Sequence, residues 1–251
     1  MKLRLAAPKT LIDINGIAEL SHIAEKDGSI VIGSMTRHDQ LAESVIIRTK
    51  VPLLADAASL IADQQVRNRG TIGGSLVHAD SGADLPTACK ALGANLTAVG
   101  PGGPRSIAVE DFFRDYFTTS LEAGEIVTEI RIPIPPPRSG GSHLKLTKGH
   151  NDFAIVAVAA QLSFNDEFVC RKAEVVLGGV ASTPVHARET ERSLTNRELD
   201  HNLIGDAARK AAEGLNPGTD VRASAEYRIK MTRTLTSRAI QLAVQRIHGS
   251  H

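Results

Sequence analysis

The run "IPIPPPRSGG", residues 132–141, constrains the chain more than any other stretch. Each proline lacks a backbone N–H and fixes its own φ, so three in succession suit neither a helix interior nor a central strand. The segment is stiff and extended, and Gly140 and Gly141 loosen it again. Two parts are therefore expected, residues 1–136 and 142–251. The 251 residues allow this without a disulfide or metal staple, because a chain of that length buries roughly 70–75% of its unfolded surface.

Before the prolines, short apolar runs alternate with helical spacing. "TLIDI" and "SIVIGS" read as strands, with turn chemistry at Lys26, Asp27 and Gly28. Residues 38–49 and 52–63 read as two helices, the second with Leu53, Leu54, Ala57, Leu60 and Ile61 on one face. Asp84 is placed to cap a helix over "LPTACKALGA". "NLTAVGPGGPRSIAV" reads as a hairpin, since its "GPGG" lacks both GxGxxG spacing and a following helix. "EIVTEIRIPI" alternates like a strand. After the prolines, "HLKLTKGHNDFAIVAVAAQLSF" and "CRKAEVVLGGVA" read as strands. Helical patterns over "HARETERSL", "LIGDAARKAAEGL" and "SAEYRIKMTRTLTSRAIQLAVQRI" follow them. Strands followed by helices indicate an α+β unit.

Composition removes several functions. The net charge is +1, from 29 basic and 28 acidic residues, so no basic field awaits nucleic acid. Trp is absent and aromatics are 3%, which leaves little for base stacking. Cys89 and Cys170 form no CxxC pair. A zinc or iron–sulfur site from this chain alone is not expected, and two reduced thiols fit a cytoplasmic protein. No apolar run approaches the ~20 residues that span a bilayer.

"GTIGGSL", residues 70–76, is the densest glycine cluster. Bare backbone at Gly73 and Gly74 allows an anion to approach N–H groups closely. The pattern alone leaves a structural turn and a phosphate cradle both open. Asp84, thirteen positions after Thr71, is either a helix cap or a carboxylate for ribose hydroxyls. His78 has no second histidine at a metal-ligand spacing and reads as a loop contact.

"QVRNRGTIGGSLVHADSGADLP" resembles the second FAD-binding segment of the flavoprotein subunit of molybdenum hydroxylases. That family includes the medium subunits of carbon monoxide dehydrogenase and bacterial xanthine dehydrogenase. The likeness continues through "EDFF" and "EIVTEIRIP", resumes in "LKLTKGHNDFAIVAVAA" and "VLGGVASTPVHARETE", and ends at "SAEYR". It spans nearly the whole chain in order.

The resemblance implies a vanillyl-alcohol-oxidase-type FAD-binding α/β domain followed by a smaller α+β domain, with FAD between them. It implies pyrophosphate contacts from Thr71, Ile72, Gly73, Gly74 and Ser75, the last standing where many relatives have asparagine. It carries Asp84 to the ribose–adenine side, Lys145 to the flavin region and Val127, with Ile61, to apolar cofactor contacts. Unaided, Lys145 also reads as a surface lysine, and Val127 and Ile61 as core. An arginine-rich stretch of relatives is altered here to Lys148, Gly149 and His150.

The resemblance also implies an upstream segment with a first Gly-rich loop of the AGG-x-S-L type. The sequence starts at "MKLRLAAPKTLIDINGI", which matches just after that loop. The expectation is an N-terminally truncated FAD domain, from a start assigned downstream or a shortened copy, that binds FAD weakly or not at all when expressed alone.

The leading functional expectation is an oxidoreductase subunit that relays electrons from [2Fe-2S] clusters of a small partner subunit through FAD to an acceptor. A large partner subunit would carry the molybdenum cofactor, in a dimer of heterotrimers. No residue of this chain is nominated as catalytic or metal-binding. A cofactor-free structural or assembly subunit is the alternative, and a free-standing FAD oxidase ranks last.

Overall fold

Asp27 and Gly28 both adopt left-handed backbone, with φ of 50° and 68°. That two-residue turn matches the twist of the strands it joins. These are β1 (Ile23–Lys26) and β2 (Ser29–Gly33), with Lys26 opposite Ser29. The computed structural model describes residues 8–149 and 151–248. The first residues of the sequence, 1–7, and His150 of the altered basic stretch lie outside the described residues.

The helices of the first half follow. They are α1 (His38–Glu43), α2 (Val45–Lys50), α3 (Pro52–Ser59), α4 (Gln64–Arg67), α5 (Ile72–His78) and α6 (Asp84–Ala91). The hairpin of β3 (Asn95–Gly100) and β4 (Gly103–Ala108) comes next. Then come α7 (Val109–Phe112), the short pair β5 (Phe113–Asp115) and β6 (Thr118–Thr119), and β7 (Ile126–Pro133). Among the described residues, the first sheet runs β1-β2-β7-β3-β4, with β7 bonded antiparallel to both β2 and β3. Ile30, Ile32, Leu96 and Ile130 are fully buried against Leu41, Leu54, Ile72, Leu76 and Leu85 from the helices.

Three local expectations are corrected. "TLIDI" forms no strand, and Leu11 and Ile12 are exposed; a strand needs a ladder partner, and β2 pairs with β1 and β7 instead. The helix expected over 38–49 breaks at Ser44, which has ψ of 121°. Its hydroxyl accepts from Ile47 N–H and so caps α2. The helix expected over 52–63 ends at Ser59, and the Arg67 guanidinium then takes the Ile61 and Ala62 carbonyls.

Beyond the prolines, β8 (Ser139–Leu146), β9 (Val156–Phe164), β10 (Val169–Gly178) and β11 (Val185–His186) form the second sheet in the order β11-β10-β9-β8. After α8 (Arg188–Leu194), β12 (Arg197–Glu198) pairs with β10. Then come α9 (His201–Arg209) and α10 (Ala225–His248). Buried residues of α10, among them Thr232, Leu235, Thr236, Ala239, Ala243 and Ile247, recur at helical spacing.

Strand periodicity makes β8 two-faced. Gly140 and Ser142 meet α10: a Cβ at Gly140 would strike the Ala243 carbonyl, and the Ser142 hydroxyl donates to Ala239 O. Gly141, His143 and Lys145 turn the other way, toward α3 and α6 of the first half. Every residue of β9 is buried. Its Ala157 and Ala159 are small where α6 presents Thr87 and Ala88, and Gly178 of β10 would meet the Thr87 hydroxyl if it had a Cβ. Arg246 of α10 reaches through to Asp56 of α3 at 2.5 Å and to Gly141 O.

A second link between the halves is a ring of carboxylates around His186. Its Nε2 lies 2.8 Å from Glu110 of α7, and its Nδ1 lies 2.7 Å from Glu191 of α8 and 3.4 Å from Glu174 of β10. Lys90 also pairs with Glu110, Arg188 with Glu191 and Lys172 with Glu174. Burial opposes a charge on His186, but the hydrogen bonds to Glu191 and Glu110 outweigh it and raise its pKa above 6.5. Burial likewise opposes charge on Glu110 and Glu191, yet His186 leaves both below 4.5.

Two outcomes follow. Because the folded His186 pKa is raised, its stabilisation is complete below about 6.5 and is lost as pH rises through the folded value. The carboxylates lose theirs as pH falls below the usual glutamate range. Chemical denaturation of His186→Gln against wild type is expected to show its largest stability deficit between those limits, narrowing on either side. A Gly140→Ala change is expected to lower stability by about 1–3 kcal/mol, because two backbones already touch there.

Candidate functional site

The glycines at 70, 73 and 74 have separate causes. A Cβ at Gly70 would run into the His38 ring, whose backbone N–H donates to Gly70 O at 3.1 Å. A Cβ at Gly73 would sit 2.6 Å from Ser34 Cβ and 2.7 Å from Ser34 O. Both glycines therefore serve close packing. Gly74 is exposed, and a Cβ there would meet only the Thr71 hydroxyl, at 2.9 Å.

Residues 72–78 are helical and not an open turn. Their N–H groups are already used. Ile72 donates to Thr36 O, Gly73 to Ser34 O, Gly74 to the Thr71 hydroxyl and Ser75 to Thr71 O. This corrects the expectation of a cradle of free N–H donors: the fold uses those dipoles to dock α5 on the end of β2. What remains outward is the bare backbone of Gly74, the half-buried Ser75 hydroxyl and the proton of the Thr71 hydroxyl. Ser75 Oγ bonds nothing among the described residues. Two arginines neighbour the segment along the backbone: Arg37 bridges Thr71, and Arg69, whose carbonyl accepts from the Arg37 guanidinium, immediately precedes Gly70. Bare backbone, hydroxyl donors and guanidinium charge suit a diphosphate.

Asp84 is the first residue of α6, but Ala83 is the cap and no side chain caps the helix. The Asp84 carboxylate is 3% exposed. One oxygen lies 3.0 Å from His143 Nε2 and the other 2.7 Å from Lys145 Nζ. Lys145 also donates to Leu60 O at 3.1 Å, so two of its three ammonium protons are engaged. Burial raises the Asp84 pKa, while His143 and then Lys145 lower it; the net direction is down, and Asp84 is a carboxylate. The expectation that Asp84 presents itself to ribose hydroxyls is corrected: it is enclosed and held by protein groups. Lys145 is likewise no ordinary surface lysine.

Val127 is 3% exposed on β7 and packs within the first core, as Ile72 does. Both support the site from beneath and neither lines an open surface. Ile61 is half-buried against that core. His78 stacks on Phe117 at 5.1 Å between ring centroids. Asp80 accepts from Gly82 N–H and closes the turn before α6.

Two histidines were missed. His143 stands two residues before Lys145 on one strand, so period-two alternation places them on one face; that signal was legible. His38 carried none. It is buried, its Nδ1 has no partner among the described residues, and burial pushes its pKa down to about 4, Asp84 opposing and Arg37 and Arg67 assisting. His38 is therefore neutral near pH 7.

Residues 1–135 match the family described as the FAD binding domain in molybdopterin dehydrogenase. Residues 144–243 match the CO dehydrogenase flavoprotein C-terminal domain. The chain is 37% identical to the carbon monoxide dehydrogenase medium chain of Afipia carboxidovorans, over 98% of this chain and 85% of that one. It is 30% identical to the xanthine dehydrogenase FAD-binding subunit of Escherichia coli O157:H7, over 95% of this chain and 82% of that one. Carbon monoxide dehydrogenase from Hydrogenophaga pseudoflava superposes with a TM-score of 0.93 at 37% identity, covering 98% of this chain and 85% of that one.

The contrast between the two glycines is measurable by thermal unfolding. Gly73→Ala is expected to destabilise by about 1–3 kcal/mol, since Ser34 backbone cannot retreat. Gly74→Ala is expected to cost about 1 kcal/mol or less, the price of shifting the Thr71 cap.

Proposed function

The chain belongs to the FAD-binding medium subunits of the molybdenum hydroxylases, and from that premise we propose that the FAD diphosphate rests on the outward face of residues 71–75. When bound, FAD relays electrons from the [2Fe-2S] clusters of a small partner subunit to an acceptor, the molybdenum cofactor lying on a large partner subunit. The observation that carries this reading is the face itself. Across residues 72–75 every N–H is used internally, while Gly74 exposes backbone without a Cβ and the Ser75 hydroxyl has no partner among the described residues.

Each residue then has a task. The hydroxyls of Thr71 and Ser75 donate to phosphate oxygens, and Arg37 and Arg69 offset their charge. Ile72, Gly73 and Val127 hold α5 against the sheet. Lys145 turns its third N–H to the flavin end, and Asp84 holds it there. Residues 1–136 form the FAD-binding part and 142–251 the C-terminal part. The assembly is a dimer of heterotrimers working in the cytoplasm. No helix among the described residues is long and apolar enough to cross a membrane.

Replacing Ser75 with Asp tests the diphosphate site. A carboxylate beside a diphosphate is repelled by several kcal/mol near a protein surface, enough for a drop in FAD affinity of roughly tenfold or more. The flavin absorbance of the purified S75D protein is expected to fall while its apo-form melting temperature stays near wild type. Stoichiometric FAD in S75D would remove residues 71–75 from the diphosphate site.

A further inference from the structure

We propose that His143 is a positioning residue for Lys145, acting through Asp84. The proposal rests on the reading above that Lys145 serves the flavin end of the cofactor.

The three side chains form one chain of contacts drawn from both halves of the molecule. His143 and Lys145 project from the same face of β8, and Asp84 opens α6. His143 Nε2 lies 3.0 Å from Asp84 Oδ1, and Lys145 Nζ lies 2.7 Å from Oδ2. The side chains are 0%, 3% and 6% exposed for His143, Asp84 and Lys145. A carboxylate so enclosed needs donors on both oxygens, since water does not supply them. With one oxygen held by His143, Asp84 has a single orientation, and the other oxygen is fixed where the ammonium binds. Leu60 O gives the ammonium its second anchor. The third N–H then has one direction left.

Asp84 is a carboxylate and only accepts, so Nε2 of His143 carries the proton that is donated to Oδ1. Nδ1 is buried and has no partner among the described residues, so Asp84 is the one polar anchor of the ring there. Among the described residues, His38 also feels the Asp84 charge, and burial keeps it neutral near pH 7.

The test uses the FAD-loaded protein and three variants, with the flavin midpoint potential as readout. Lys145→Met removes a positive charge from the flavin end and is expected to lower the potential. His143→Phe keeps the lysine but frees Asp84; it is expected to lower the potential in the same direction by a smaller step and weaken FAD roughly tenfold, the scale of one lost hydrogen bond to a charged group. His143→Gln places an amide N–H near the Nε2 position and is expected to return both values toward wild type. If Lys145→Met leaves the potential unchanged, Lys145 does not serve the flavin and the proposal falls with that reading. If Lys145→Met shifts it while folded, FAD-loaded His143→Phe does not, the role of His143 alone is overturned. Nitrogen-15 NMR of the unloaded wild-type protein is an independent check. A proton on Nε2 of His143, hydrogen-bonded to Asp84, is expected, and a ring whose Nε2 carries none overturns the proposal even if His143→Phe fails to fold.

Discussion

An antiparallel sheet usually keeps one face in water, but the second sheet here is covered on both. Burial at every residue of β9 is the sign of it. The arrangement requires the first half to supply α3 and α6 to one face while α10 covers the other. The two halves are thus bound through a shared layer. Gly140 and Gly141 sit at the start of β8 because backbone and side chains from both sides crowd there. The prolines set up this arrangement by delivering the chain stiffly from β7 to β8.

Within the shared layer, charge is placed with care. Asp84, Arg246 with Asp56, and His186 with its carboxylates all bridge the halves. Removing one partner of an enclosed pair typically costs 3–5 kcal/mol, because the other is left charged and unpaired. Among these, Asp84 is the most enclosed, so its pairing with β8 does more than add attraction: it fixes register between sheet and helix. The location bears on the proposed function, since Lys145 and residues 71–75 belong to different halves, and a cofactor that touched both would need their spacing held.

Much of the architecture was legible. The hairpins, β7, β9, β10 and α10 all follow from alternation or helical spacing, and the family was readable from the order of its segments. What escaped has physical causes. The break at Ser44 depends on a hydroxyl winning against helix continuation, a balance of about 1 kcal/mol that spacing does not reveal. The N–H groups of Ile72 and Gly73 looked free because their acceptors, Thr36 and Ser34, lie far back in the chain. Asp84 read as a cap because nothing local announces that a strand some sixty residues on will enclose it. In the last two cases the missing information was a long-range partner.

The alanines of β9 extend this point. A strand buried on both faces ordinarily takes large branched residues, yet Ala157 and Ala159 face α6. Their small size lets the helix axis settle close to the sheet, and that closeness brings Asp84 within bonding range of β8. They work as spacers of minimal thickness. A bulkier side chain at either position would act as a wedge, widening the gap between α6 and β8 before it disturbed either element internally. The two alanines touch no ligand, yet the length of the Asp84–Lys145 contact is written in them.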